Sequence, residues 1–290
     1  MDNAEQMKLK RMATDLAHKG MYRHCVGFVK DIHAADWEIC SGVLVQIDNR
    51  LFVATAAHCI PAAPSGKVWL LPPRPRRALD GVLGIVNSGK YPGDRPDTGY
   101  LELDPSTALT YLQTKEPFPV ERLKEMDVEG DYRLVILVGF PGEQVKPDQH
   151  QGMPGFRAKS LGFATSNYRQ SEWPQHLPAN AAPADPAIDM FFEWPNDAQY
   201  TIDIETGQSI PLPDPGGTSG GGLWDFSGTK GELWSTEVTR LVAIQSSTGP
   251  WPGHGNYIRA VHIIHWLRLV HQDFPALQPT LERLFPGVRP

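Results

Sequence analysis

Five short apolar runs in the first third of the chain constrain its fold more than any other feature: "HCVGFVK", "ICSGVLVQI", "RLFVATA", "GVLGIV" and "GYLELD". They are rich in Val, Ile and Leu and are separated by Gly, Pro, Asp or Asn. β-Branched side chains suit a pleated, half-buried surface, whereas Gly, Asn and Asp accept the dihedrals of tight turns. "IDNRL" at 47–51 is a hairpin turn signal between two of the runs. The pattern predicts an antiparallel all-β barrel or sandwich rather than layered β-α units.

A span at 105–130 with Pro and charged residues reads as a connection. Strands then resume with "YRLVILVGFP", "FRAKSLGFAT", "DMFFEWP" and "LVAIQSS". Residues 143–156, 168–187 and 195–215 read as long loops around this second group. Two helices frame the strands. Residues 4–19 set Leu9, Met12, Ala13 and Leu16 at helical spacing against Lys8, Arg11 and Asp15, with Gly20 as the stop. From Ala260 the period of Val261, Ile264, Leu267 and Val270 predicts a closing helix.

Composition narrows the function classes. The 290 residues carry a net charge of −6, and the densest basic stretch is "RPRR" at 74–77, so nucleic-acid binding is not expected. The first thirty residues hold no continuous apolar run, and "LVILVGF" at 134–140 is too short to span a bilayer. No membrane association is expected, and the expected location is cytoplasmic. Three cysteines do not make a disulfide scaffold, and neither CxxC nor HExxH occurs. No metal or cofactor is expected. His262 and His265 are expected at a surface or groove rather than as metal ligands.

Two segments remain that strand patterning does not explain. "FVATAAHCIP" at 52–61 ends an apolar strand in His58, and a histidine on an apolar stretch is most often a satisfied core residue. "DPGGTSGGGLW" at 214–224 surrounds Ser219 with glycines, which suits either a flexible loop or a tight turn whose backbone N–H groups face a ligand. G-x-S-x-G also occurs at the nucleophile elbow of α/β-hydrolases. That fold places its acid and histidine after the serine, within β-α units. Here the histidine precedes the serine by about 160 residues, and "RPDTGYLELDP" lies between them with Asp97 at the start of a strand.

At these residues the chain resembles the trypsin-like, chymotrypsin-fold serine peptidases of the PA clan, of a bacterial intracellular type. The resemblance rests on Thr55-Ala56-Ala57-His58-Cys59, then Asp97 through Leu103, then Gly217-Thr218-Ser219-Gly220-Gly221, in that order. "VGFPG" at 138–142, "LVAIQSS" at 241–247 and "GNYIRAVHIIHWL" at 255–267 extend it. It implies two six-stranded antiparallel barrels with the active site between them. Residues 1–22 would be an N-terminal helical extension, 23–125 the first barrel with His58 and Asp97, 126–259 the second with Ser219, and 260–290 a C-terminal helix and tail.

The resemblance also implies roles. Ser219 would be the nucleophile, His58 the general base, and Asp97 the group that orients it; Asp94 is the rival acid. The backbone N–H groups of Gly217 and Ser219 would form the oxyanion hole. Ser246 would hydrogen-bond the acid. Pro213 falls where the floor of the specificity pocket is set, with Asp214 beside it as a candidate for basic preference, and Thr248 and Gly255 as wall residues; Ser246 is also expected to line that pocket. Thr218 stands where secreted relatives carry the aspartate that receives a new N-terminus, so no such activation is expected. Cys40 and Cys59 occupy disulfide positions of secreted relatives and are expected close together, while Cys25 is a core residue. The implied activity is a serine endopeptidase acting on proteins or peptides, of narrow regulatory or defence specificity, with a regulatory protein partner. The alternative is a catalytically idle relative that binds a peptide or protein in the same cleft. With only about thirty residues after the barrels, no PDZ-like segment is expected.

Overall fold

The computed structural model describes residues 20–30, 38–61, 68–71, 85–93, 95–127, 133–150, 153–179, 181–194, 201–203, 208, 210–226, 236–252 and 255–289, with Glu5, Lys8, Met12 and Thr14. The architecture is all-β, with two antiparallel sheets and a helical C-terminus, as the strand pattern leads one to expect.

The first sheet contains β1 (Cys25–Lys30), β2 (Glu38–Ile47), β3 (Arg50–Thr55), β4 (Val68–Leu70), β5 (Ile85–Lys90), β6 (Gly99–Leu103) and β7 (Phe118–Pro119). Its order is β4-β1-β2-β3-β6-β5, and β7 adds a two-residue parallel ladder to β2. The second sheet is drawn from β8 (Leu134–Gly139), β11 (Leu161–Ser166), β12 (Asp189–Trp194), β13 (Thr201–Asp203), β14 (Gly222–Asp225), β15 (Arg240–Trp251) and β16 (Gly255–His262). Its order is β12-β16-β15-β14-β8-β11-β13. Each sheet has seven strands rather than six, because short pieces such as β4, β7 and β13 attach to the longer strands.

Residues 143–156, expected as a loop, instead contain most of a hairpin of β9 (Val145–His150) and β10 (Met153–Ala158). The connection at 105–130 carries a helix, α1 (Pro105–Leu112), as well as β7. The closing helix α2 (Ile263–Asp273) starts three residues later than expected, since β16 stays paired with β15 as far as His262. A further short helix, α3 (Gln278–Leu284), follows it. Of the N-terminal helix, Glu5, Lys8, Met12 and Thr14 are helical; Leu9, Ala13 and Leu16 lie outside the described residues. Met12, expected on the packed face, is 42% exposed.

Period-two alternation explains how the sheets pack. On β2, Val43, Val45 and Ile47 point into a core shared with Ile136 and Val138 of β8 and with Trp224 of β14. Between them, Leu44 points the other way, with Val26, Phe28, Val53 and Leu101, into a core of the first sheet alone. Similarly, Val135 and Leu137 of β8 join Phe163, Phe192 and Leu223 in a core of the second sheet. Sheets buried on both faces read as near-continuous apolar runs, which is why "LVILV" shows no alternation in the sequence.

The shared core also receives the C-terminal helix through Ile263, Trp266, Leu267 and Val270. Among the described residues no helix is long and apolar enough to cross a membrane. His262, the last residue of β16, and His265, on the packed face of α2, are buried rather than at a surface or groove. Burial lowers both imidazole pKa values, and His265 Nε2 lies 2.8 Å from the Ala187 carbonyl.

Candidate active site

The register of β3 and β6 places His58 and Asp97 together. Thr55, the last residue of β3, pairs with Gly99, the first of β6, so the chain leaving β3 and the chain entering β6 meet at one end of the sheet. A single 3-10 turn over Ala57–Cys59 follows, with Ala57 and Cys59 buried and the His58 side chain 47% exposed between them. Asp97 grips His58 twice: His58 N donates to Asp97 Oδ1 at 3.0 Å, and His58 Nδ1 lies 2.8 Å from Asp97 Oδ2. The His58 carbonyl accepts from Lys30 Nζ at 2.5 Å, which fixes the turn from the other side. Asp94, the rival acid, lies outside the described residues.

Burial works to lower the His58 pKa, but hydrogen bonds to Asp97 and to the Cys59 thiol, with the charges behind them, outweigh it and raise the group to about 10. The Cys59 thiol is itself pushed well above its ordinary value, by burial first and then by the Cys40 thiol. At neutral pH it is uncharged, so Asp97 is the charge that raises His58.

Ser219 sits on a turn stitched by its own backbone. Thr218 N and Thr218 Oγ1 both donate to the Pro215 carbonyl, at 3.1 and 2.5 Å, and Gly221 N donates to the Thr218 carbonyl at 2.8 Å. Thr218 is therefore a fully buried clasp of the turn. Gly217 and Gly220 adopt φ of +90° and +88°. A Cβ on Gly220 would fall 2.0 Å from the Ser41 carbonyl oxygen, and one on Gly217 would fall 2.4 Å from Ile39 Cγ2. Glycine is required at both places by conformation and by space. The backbone N–H groups of Gly217 and Ser219 have no acceptor among the described residues.

Ser41 of β2 ties this turn to the first sheet. Its N donates to the Ser219 carbonyl at 2.7 Å, and its hydroxyl donates to the Gly217 carbonyl at 3.0 Å while accepting from Phe140 N at 2.8 Å. Cys59 Sγ also contacts the Ser219 carbonyl, at 3.6 Å. The turn that carries Ser219 is thus in contact with Cys59, the residue that follows His58. The Ser219 hydroxyl makes no hydrogen bond to His58 or to any other described residue.

A cleft of about 610 Å³ opens beside His58 and Asp97. Its walls include Arg95, Asp189, Ser246, Ser247, Thr248, Tyr257 and Arg259, with Pro178, Ala181, Ala182 and Val261 as the apolar part. Of the expected pocket residues, Ser246 and Thr248 line it, whereas Pro213, Asp214 and Gly255 do not. Asp214 closes its own loop by accepting from Gly216 N at 2.8 Å. Gly255 pairs with Trp251 at the end of the β15-β16 hairpin with φ +92°. Ser246 occupies the bulge between Gln245 and Ser247, and its hydroxyl donates to the Arg259 carbonyl at 3.1 Å rather than to Asp97.

The residues that patterning missed are Ser41, Arg95, Asp189 and Arg259. Asp189 is buried at the start of β12 and accepts from Arg259 Nε at 2.9 Å and Arg259 Nη2 at 2.8 Å, as well as from Arg95 Nη2. The two arginines also donate to the carbonyls of Ala182 and Pro183, pinning these two residues to the cleft. A charged pair within the strand segments "DMFFEW" and "GNYIRAVH" was the available signal. Cys40 and Cys59 are in contact as free thiols, and Cys25 is a core residue whose thiol burial raises to about 12. Among the described residues no group of three His, Cys, Asp or Glu side chains is placed to hold a metal ion.

Neither a family model nor a curated protein matches the chain. Among solved structures it is similar to a thermostable serine protease, AL20, from an extremophilic microorganism. The identity is 13% and the TM-score 0.45, over 83% of this chain and 92% of that one. It is also similar to the protease Anisep from Arthrobacter nicotinovorans, at 13% identity and a TM-score of 0.43, over 83% of this chain and 90% of that one. Likeness at this level concerns the fold alone.

Proposed function

We propose that the crevice between the two sheets is the active site of a serine endopeptidase. The observation that carries this reading is the two-pronged hold of Asp97 on His58, next to a glycine-shaped turn that leaves the Gly217 and Ser219 N–H groups without acceptors. A serine hydroxyl is a weak nucleophile until a base takes its proton, and an imidazole fixed through Nδ1 presents Nε2 for that task. In this mechanism Ser219 Oγ attacks the scissile carbonyl and His58 Nε2 accepts the hydroxyl proton. Asp97 holds the ring and balances the imidazolium. The Gly217 and Ser219 N–H groups receive the oxyanion, and loss of one such donor costs roughly 10²–10³ in rate in a comparable enzyme. His58 then protonates the departing amine, and water, deprotonated by His58, releases the acyl group from Ser219. The substrate is a protein or peptide.

The unbonded Ser219 hydroxyl favours a second reading, in which the same cleft binds a peptide without cleaving it. Hydrogen bonds of this kind often tighten only when substrate is present. A fluorophosphonate probe separates the two readings. The expected result is labelling of the wild type that is lost in Ser219→Ala and His58→Ala. A folded wild type that the probe leaves untouched would favour the binding reading.

A further inference from the structure

The cleft beside His58 carries an unbalanced charge. His58 and Asp97 balance one another; beyond them, among the described lining residues, two guanidinium groups face a single carboxylate. Arg259 is committed: its Nε and Nη2 serve Asp189, its Nη1 serves the Ala182 carbonyl, and Nη2 also reaches the Pro183 carbonyl. Its side chain is 7% exposed. Arg95 differs. It donates once to Asp189 and once to the Pro183 carbonyl, it is 20% exposed, and its remaining N–H groups have no acceptor among the described residues. Ser247 and Thr248 on the same cleft have hydroxyls without a partner among the described residues. The neighbouring acid, Asp185, is turned into its own loop, where Oδ1 accepts from Ala187 N at 2.9 Å.

We infer that Arg95, with Ser247 and Thr248, forms a subsite for the carboxylate of an acidic substrate residue, Glu or Asp. A guanidinium with donors to spare binds a carboxylate through charge-assisted hydrogen bonds, and its charge turns away Lys and Arg. Asp189, itself fixed by Arg259, and the Pro183 carbonyl hold Arg95 from behind, so little order is lost on binding. Neither Ser219 nor Gly217 lines this cleft, which lies on the Asp97 side of His58. The acidic residue therefore stands apart from the residue whose carbonyl Ser219 would attack. Asp214 lies outside this cleft.

The inference rests on the peptidase reading for its substrate, and its test is independent of cleavage. The Ser219→Ala protein is titrated with labelled peptides in which Glu, Gln or Lys is walked through each position, and binding is read by fluorescence anisotropy. The expected result is binding of the Glu peptide about 10-fold tighter than its Gln counterpart at one position, with Lys weaker still. Arg95→Gln should abolish the difference, and Arg95→Lys should restore part of it. Equal affinity for Glu, Gln and Lys at every position, or no binding of any peptide, overturns the inference. So does an acidic preference unchanged in Arg95→Gln. A wild type that shows the preference but neither hydrolyses peptides nor takes the fluorophosphonate removes the peptidase reading and leaves the subsite standing.

Discussion

Replacing Ser41 with alanine tests the joint on which the site depends. The Ser41 side chain is buried, and its hydroxyl serves two backbone groups on the other sheet, the Gly217 carbonyl at 3.0 Å and Phe140 N at 2.8 Å. Alanine leaves both without a partner where the turn docks on β2. The main-chain bond from Ser41 N to the Ser219 carbonyl does not depend on the side chain and remains. An orphaned buried donor or acceptor costs about 1–3 kcal/mol. Two such groups, partly relieved by relaxation, give a loss of about 2–4 kcal/mol. For a chain of this size that corresponds to a fall in Tm of roughly 3–7 °C. Urea unfolding followed through the buried Trp224 and Trp266 measures it, with exposed Ser88→Ala as the control expected to stay within about 0.5 kcal/mol. Fluorophosphonate labelling should slow as well, because the Gly217–Ser219 turn is no longer pinned. A Ser41→Ala protein as stable as the Ser88→Ala control would show that this hydroxyl does not join the sheets.

Other consequences can be measured on the same protein. The His58 pKa is raised from 6.5 towards about 10, so the imidazolium–Asp97 pair stabilises the fold fully below 6.5 and ceases to do so as pH rises through about 10. The base must be neutral to act, so fluorophosphonate labelling should climb with pH through a midpoint above 6.5; Asp97→Asn should move that midpoint down and slow the reaction, and an unmoved midpoint would separate Asp97 from His58 titration. Gly220→Ala places a Cβ 2.0 Å from the Ser41 carbonyl at φ +88°, and should cost more than Ser41→Ala, read as soluble yield and urea midpoint. Cys25, Cys40 and Cys59 are all buried, so iodoacetamide at pH 8 should modify none of them in the folded protein and all three in urea, counted by mass spectrometry. Asp214→Ala should leave the ranking of Glu, Gln and Lys peptides unchanged, since that carboxylate serves only its own loop.

The strands and the two glycine- and histidine-bearing turns were legible because local chemistry dictates them. "RLFVATAAHC" is an apolar run buried on both faces that ends in a turn of small residues, and the glycines around Ser219 stand where the backbone passes too close for a Cβ. What was not legible depends on neighbours distant in the chain. The β9-β10 hairpin contains Lys146, Pro147, Asp148 and Pro154, which obscure its alternation. β15 runs on past the "LVAIQSS" run through "TGPW", whose Gly and Pro break the apolar pattern, because β16 supplies a ladder to hold it. Arg259 and Asp189 look like solvent-facing strand residues, yet each is buried because the other neutralises it. Counting back from Ser219 to Pro213 and Asp214 likewise does not reveal that their loop closes on itself through Gly216 N.

The position of His58 relative to Ser219 is not set by either sheet alone. The contacts of Ser41 and Cys59 with the Gly217–Ser219 turn cross between the sheets at one point. Arg95, two residues before Asp97, crosses to Asp189 at a second. The C-terminal helix makes a third crossing. It leaves β16 of the second sheet, yet it lays Trp266 and Phe274 against Phe52 of β3, at ring centroid separations of 6.2 and 5.2 Å. Asp273 accepts from the Tyr100 hydroxyl of β6 at 3.0 Å. Aromatic pairs of this geometry add about 0.5–1.5 kcal/mol each beyond their burial. β3 and β6 are the strands whose ends carry His58 and Asp97, so the helix braces the first sheet from behind those two residues. Three separated crossings resist rotation of one sheet on the other in a way that a single contact cannot. A rigid crevice of this kind suits chemistry in which groups from both sheets must meet one carbonyl.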